Sequence, residues 1–349
     1  MKEGWERMEL PITLDLRQIN EIIKPAFPGK KVMAAERIDT GLSNSNYKIH
    51  LEGSAEAFVV RIFRGDGEIA DKELAVAQLV RQTVPVADFI YVDTSCSTFD
   101  KPWAVLEWKE GFLLSDVFRT GTLQDITSSA ASAGSILVNI HAYTLPESGF
   151  FGSDLKITHP FSMDGERFLS FIEDILFHNQ CGKWLSGELT KVLWSFCQTY
   201  SSLLSESREM PVLVHSDFNA LNILMQHGPI GCSVSAVLDW EDAFSWSRHA
   251  DIGNMLRYEE DGSTFEKHFI RAYQEQGAVL EDNWKLLSRL EDLVALYDML
   301  NNSTMDTPNR MRDPALDRKN RPVLLMIATF INGSTRRNLV MDQSAERLY

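Results

Sequence analysis

No run of apolar residues in this sequence approaches the length that a membrane-spanning helix needs. The N-terminal stretch, MKEGWERMEL, has no apolar core of the kind a secretory signal carries. Cysteine is scarce. The four thiols, Cys96, Cys181, Cys197 and Cys232, are scattered without C-x-x-C spacing. That pattern fits free thiols in a reducing compartment better than a disulfide framework or a zinc site. A basic excess is also missing. The formal net charge is −15, whereas a nucleic-acid partner demands a basic face. These absences predict a cytoplasmic protein that works on neither membranes nor nucleic acid. No internal repeat is visible.

What is present is an ordinary globular composition, 44% hydrophobic and 24% charged. At 349 residues the chain exceeds the size at which one core stops growing, so two lobes are expected. The negative balance suits a cationic substrate, or solubility alone.

One stretch carries most of the chemistry. The apolar run Val212-Leu213-Val214 delivers His215-Ser216-Asp217, and Asn222 follows at a fixed interval. A Gly/Pro turn from His227 to Gly231 separates this from a second apolar run, Val234 to Leu238, which delivers Asp239. Taken singly, each polar residue is equally consistent with a β-hairpin bearing capping carboxylates and a buried histidine. Taken in this order, they match the needs of phosphoryl transfer. That reaction uses a carboxylate to orient and deprotonate an attacking hydroxyl, and oxygen ligands to hold magnesium. HSDFNALN keeps the Asp-to-Asn interval of the kinase loop H-R-D-x-x-x-x-N.

The segment resembles the aminoglycoside phosphotransferase family, the small-molecule branch of the protein-kinase-like fold. VHSDFNALNIL is similar to that family's H-x-D-x-x-x-x-N-I-L loop, and AVLDWEDA to its metal segment. Asp251-Ile-Gly is similar to the D-[LI]-[AG] at the next helix start. The resemblance implies an α+β fold, with a small antiparallel β lobe (1–108) followed by a larger, mainly helical lobe (109–349). It implies ATP or GTP as phosphoryl donor, Mg2+ as cofactor and a small-molecule hydroxyl as acceptor, aminoglycoside-like in the first instance. Asp217 is then the catalytic base, Asn222 and Asp239 are the metal ligands, and His215 and Asp251 support the loop. A kinase of a choline-, homoserine- or sugar-like alcohol, and a catalytically silent binding protein, stay open as alternatives.

Upstream, Tyr47, Ile49 and Leu51 alternate and are followed by Phe58 to Phe63 across a Gly-containing turn, which is a hairpin signal. The small polar loop before it resembles the family's G-x-x-N-x-x-[YF], so Ser43, Ser45 and Asn46 are nucleotide-binding candidates by position. Arg61 stands where the kinase scheme has lysine. Arginine also holds phosphate, in a fork. Its expected partner is Glu73, on a helix predicted from Glu68 to Gln82. The strand Trp103 to Trp108 corresponds to the family's hinge exit, where the main chain of Glu107 and Lys109 would meet the adenine edge.

After Gly111 the pattern is helical: 126–143, 167–179, 186–204, 263–276, 283–302 and 321–341, with a polar loop at 305–319. Phe168, Phe171 and Phe177 read as core, and His141 as a structural histidine. The acidic pairs, Glu281-Asp282 and Glu291-Asp292 among them, read as solvated helix faces. The segment after Asp239 is too short to be a peptide-binding activation loop and lacks A-P-E.

Overall fold

A computed structural model describes residues 12–38, 44–162, 164–179, 185, 187–206 and 209–301. Strands β1 (Val32–Ile38), β2 (Ser45–Leu51), β3 (Ala57–Ile62), β4 (Phe89–Asp93) and β5 (Trp103–Glu107) form an antiparallel sheet in the order β1-β2-β3-β5-β4. Alternation sets its two faces. Tyr47, Ile49, Leu51, Phe58, Val60 and Ile62 are buried on one face, against Ile19 and Ile22 of α1 (Leu16–Ile22). The other face of β2 and β3 carries Asn46 and Arg61, which are direct register partners. Helix α2 (Gly67–Val80) is capped by Asp66, whose side chain accepts from the Glu68 amide. Its buried residues, Ala70, Glu73, Val76, Ala77 and Val80, recur at three- and four-residue spacing.

Beyond Gly111 the lobe is mainly helical, as expected. The apolar run Val212–Val214, and all but the last residue of the run Val234 to Leu238, fall on strands of two small sheets, whose other strands the sequence pattern did not mark. In one, β6 (Phe112–Leu113) pairs with β10 (Ile223–Gly228), which pairs with β11 (Gly231–Val237). The other has the order β8-β7-β12-β9, from β7 (Gly149–Phe151), β8 (Ile157–Pro160), β9 (Val212–Val214) and β12 (Phe244–Trp246). Most of these strands are two to four residues long, too short for alternation to register as a pattern.

The helices are α3 (Leu114–Thr120), α4 (Leu123–His141), α5 (Gly165–Glu173), α6 (Gly187–Tyr200), α7 (Ser202–Glu206), α8 (His249–Leu256), α9 (Thr264–Glu275) and α10 (Trp284–Asn301). A π-helical turn at Asp174–His178 continues α5. Helices α4 and α9 approach so closely at Gly134 that an added methyl group would lie 2.3 Å from the Phe269 carbonyl oxygen. Phe168 is fully buried, as expected, but Phe177 is 48% exposed and meets Trp194 edge-on. The pair Glu291-Asp292 does not face solvent. Glu291 accepts from Trp246 Nε1, and Asp292 receives Arg257 through Nε at 3.0 Å and Nη2 at 2.6 Å. No described helix is long and apolar enough to cross a membrane. The loop 305–319 and helix 321–341 lie outside the described residues.

Candidate active site

The site is built on the exit of β9, whose three residues are buried. Asp251, in the first turn of α8 and fully buried, accepts the His215 amide at 2.8 Å and the Ser216 amide at 2.9 Å. Its Oδ2 also meets His141 Nε2 at 3.3 Å, and His141 Nδ1 meets the Tyr273 hydroxyl at 2.7 Å. Burial lowers the His141 pKa, with Asp251 opposing. These bonds fold the chain sharply, and Ser216 takes a left-handed φ of 74°. Such a conformation costs a non-glycine residue on the order of 1–3 kcal/mol and persists where its surroundings impose it.

Both ring nitrogens of His215 are spent on backbone. Nδ1 accepts the Asp217 amide at 3.2 Å, which leaves Nε2 to donate to the Leu238 carbonyl at 3.0 Å. The ring also packs on Trp240, 4.5 Å between centroids. His215 thus ties the loop to the segment that ends at Asp239. A second tie runs from the Leu238 amide to the Asn222 carbonyl at 2.8 Å.

The Asp217 carboxylate is gripped on both oxygens. Asn219 Nδ2 donates to Oδ1 and Asn222 Nδ2 to Oδ2. Asn222 Nδ2 also reaches the Asp217 carbonyl at 3.0 Å. With Nδ2 so engaged, the Asn222 carbonyl oxygen is the amide atom turned away from Asp217. Asp239 is the second strained residue of the site, at φ 69°.

Arg61 joins three parts of the chain. Its Nη1 bonds Glu73, its Nε donates to Asn46 Oδ1 at 3.1 Å, and Nη1 lies 3.7 Å from Asp239 Oδ1. Burial works against the charged guanidinium, yet Glu73 and then Asp239 outweigh it and raise the Arg61 pKa. Burial is also the largest influence on Glu73 and pushes its carboxyl up, against the pull of Arg61.

Glu241 is the neighbour that sequence reasoning gave no role. It accepts from Asn44 Nδ2 at 2.8 Å. Burial, then the charge of Asp239, pushes its pKa up to about 7. The folded protein therefore holds a proton there that the unfolded chain has released, and this group costs stability as pH rises from the ordinary carboxylate range through about 7. Glu241→Gln keeps the Asn44 bond and removes the cost. Without nucleotide or metal, the variant should be more stable than the parent at about pH 8, by on the order of 2 kcal/mol. The difference should close near pH 4, as read by chemical denaturation at both pH values.

The other expected residues are distributed as follows. Ser43 lies outside the described residues. Ser45 is 1% exposed, and its hydroxyl accepts the Ile12 amide at 3.0 Å. It shares the buried face of β2 with Tyr47, so its side chain turns away from Asn46 and Arg61, a correction that follows from strand alternation. The Glu107 amide is taken by the Asp88 carbonyl at 2.9 Å, so only its carbonyl remains for a hinge contact. Lys109 Nζ pairs with the Glu107 carboxylate at 2.8 Å. Beside them Lys48, from β2, sits 3.9 Å over the Trp108 ring. Lys48, Asn219 and Glu241 are site neighbours that the motif spacing did not single out. Asn219 sits inside the HSDFNALN match, and its place two residues after Asp217 was the available signal.

A family model described as the phosphotransferase enzyme family matches residues 34–287. No curated protein sequence matches significantly. Among solved structures, the chain is similar to aminoglycoside phosphotransferase APH(4)-Ia at 14% identity and TM-score 0.63, over 90% of this chain and 99% of that one. A thermostable mutant of that enzyme, in ternary complex with AMP-PNP and hygromycin B, matches at 14% identity and TM-score 0.60, over 81% and 91%. The GDP and kanamycin complex of APH(2")-IIia matches at 16% identity and TM-score 0.64, over 93% and 100%. At these identities the likeness establishes the fold, which is α+β and protein-kinase-like. With its family model spanning most of the sequence, the chain belongs to the phosphotransferase enzyme family.

Proposed function

We propose that the protein transfers the terminal phosphoryl group of ATP or GTP to a hydroxyl of a small, aminoglycoside-like molecule. The observation that carries this reading is the gripped carboxylate of Asp217, with Asn219 and Asn222 each donating to one of its oxygens. A carboxylate held in this way has its remaining lone pairs aimed in fixed directions, as a base that must meet one hydroxyl requires. Asp217 orients the acceptor hydroxyl and takes its proton as the new P–O bond forms. His215 cannot share that task, because its ring nitrogens brace the loop.

Residues 1–108 form the nucleotide lobe in this reading, and 109–349 the acceptor lobe. Arg61, set by Glu73 and Asn46, holds the phosphates from above. The Glu107 carbonyl and the Lys109 main chain meet the purine edge. Asn222 and Asp239 are the residues that would hold magnesium. Their surroundings fit a cation: burial, and then the negative charge of Asp239, push the neighbouring Glu241 carboxyl up to about 7, so an added positive charge beside Asp239 is favoured. When bound, magnesium neutralises and orients the nucleotide phosphates. The aminoglycosides named in the similar solved structures, hygromycin B and kanamycin, support a polyamine sugar as acceptor. The formal charge of −15 suits such a cation.

The test is a panel of acceptors, aminoglycosides beside choline-, homoserine- and sugar-like alcohols, assayed for nucleoside diphosphate release with ATP and with GTP. Release with an aminoglycoside is expected. Release only with a metabolite alcohol would replace the acceptor class. No release, together with no magnesium-dependent nucleotide binding, would make the protein a silent kinase-like fold.

A further inference from the structure

At the turn end of the β10–β11 hairpin, away from the proposed phosphoryl-transfer site, Asp125, His227 and Cys232 converge. We propose that these three side chains form a site for a divalent cation of the zinc class, which pins the hairpin to helix α4. Their ligand atoms all lie within 4.8 Å of one another. Cys232 Sγ is 3.3 Å from Asp125 Oδ1 and 3.4 Å from His227 Nδ1. A zinc ion with bonds of about 2.3 Å to sulfur and about 2.0–2.1 Å to nitrogen or oxygen, at tetrahedral angles, sets those ligand separations near 3.5 Å. The protein already holds the two edges that meet at sulfur to within a few tenths of an ångström.

Each ligand is also aimed by a neighbour, as metal ligands usually are. Asp125 Oδ2 is held by the Thr122 amide at 2.9 Å and hydroxyl at 2.7 Å, which leaves Oδ1 toward Cys232. His227 stands directly opposite Cys232 in the ladder, and its ring packs on Phe112 at 4.6 Å. The Cys232 amide donates to Ser128 Oγ of α4 at 2.8 Å. Cys232 is buried and His227 exposed, so the fourth position opens to water on the histidine side.

Thiolate and imidazole prefer zinc to magnesium, which takes oxygen ligands. This site is therefore chemically distinct from the pair Asn222 and Asp239. Those residues flank the opposite end of the same hairpin, roughly 20 Å away by strand rise. Without metal, burial and then Asp125 raise the Cys232 pKa, so the thiol keeps its proton. On binding, a sulfur–metal bond forms, the thiol proton leaves to solvent, and nothing is oxidised or reduced. The cysteines carry no sequence pattern of a zinc site, because the ligands come from a helix and two strands.

The experiment uses the full-length protein, stripped with a chelator and titrated with Co2+ and then Zn2+ in excess Mg2+. One Co2+ per chain should bind with a thiolate-to-cobalt charge-transfer absorption, release a proton and be displaced by zinc, and zinc should raise the melting temperature. Cys232→Ala should lose the absorption and the thermal shift, while its metal-free melting stays close to the parent. His227→Gln should lose the thermal shift. Zinc-edge X-ray absorption on the unmodified protein, which needs no variant, should show one sulfur ligand. A spectrum without sulfur, or a charge-transfer band that survives in Cys232→Ala, overturns the site.

Discussion

Asp217→Asn should lower kcat by about 10²–10⁴-fold, the usual contribution of a general base, while magnesium-dependent nucleotide affinity stays near that of the parent. The separation of the two effects is the informative part. Asp217 faces the acceptor in this reading and Asp239 faces the metal, so only the first should leave nucleotide binding alone. The structure adds a detail. The carboxylate receives two amide donors, Asn219 and Asn222, and an asparagine side chain can accept only one of them. Some loosening of Asn222 should follow, so Asp217→Ala is the useful companion. Steady-state kinetics beside calorimetry with the nucleotide decides the matter, and near-normal turnover in either variant would remove Asp217 from its role.

Arg61→Ala should reduce kcat/KM by roughly 10²–10³-fold, the scale of losing one preorganised charged donor. It should also destabilise the protein, by about 3–5 kcal/mol, because the buried carboxylate of Glu73 loses its partner. Glu73→Ala should resemble it, since the guanidinium then has no fixed orientation. The double variant should lose less than the sum, because the two residues act through one contact. Arg61→Lys should fall between, keeping the charge but losing the fork that reaches Glu73 and Asn46 together. Additive losses, or normal nucleotide affinity in Arg61→Ala, would reduce Arg61 to an ordinary strand arginine.

The parts of the site that the sequence revealed are those whose residues are close in the chain or fixed in spacing. The HSDFNALN loop reads directly, because one turn of chain sets its geometry. Arg61 and Glu73 read as a pair because β3 and α2 are consecutive. Ser45 shows where this stops. Alternation places Ser45 and Asn46 on opposite faces, but only the pairing of Asn46 with Arg61 says which face meets the site. Glu241 and Asn44 are 197 positions apart, and no local pattern links them. Cys232 and Asp125 are 107 apart, which is why cysteine spacing suggested no metal site. The run Val212–Val214 is legible as a strand, but the short strands β6, β7, β8 and β12 are hidden for another reason: their pairing is set by tertiary contacts rather than by periodicity.

Asp251 has a consequence for motion. Amides in a surface loop normally exchange their hydrogens with water through small local openings. The amides of His215 and Ser216 are bonded to a carboxylate that is itself fully buried and linked through His141 to Tyr273. To release them, Asp251 must move, and with it the packing of α4, α8 and α9. In hydrogen-exchange mass spectrometry these two loop amides should therefore be protected like the central strands, exchanging only when much of the larger lobe opens at once. The proposed base would then stand on a segment that is a loop by geometry and a core element by its dynamics.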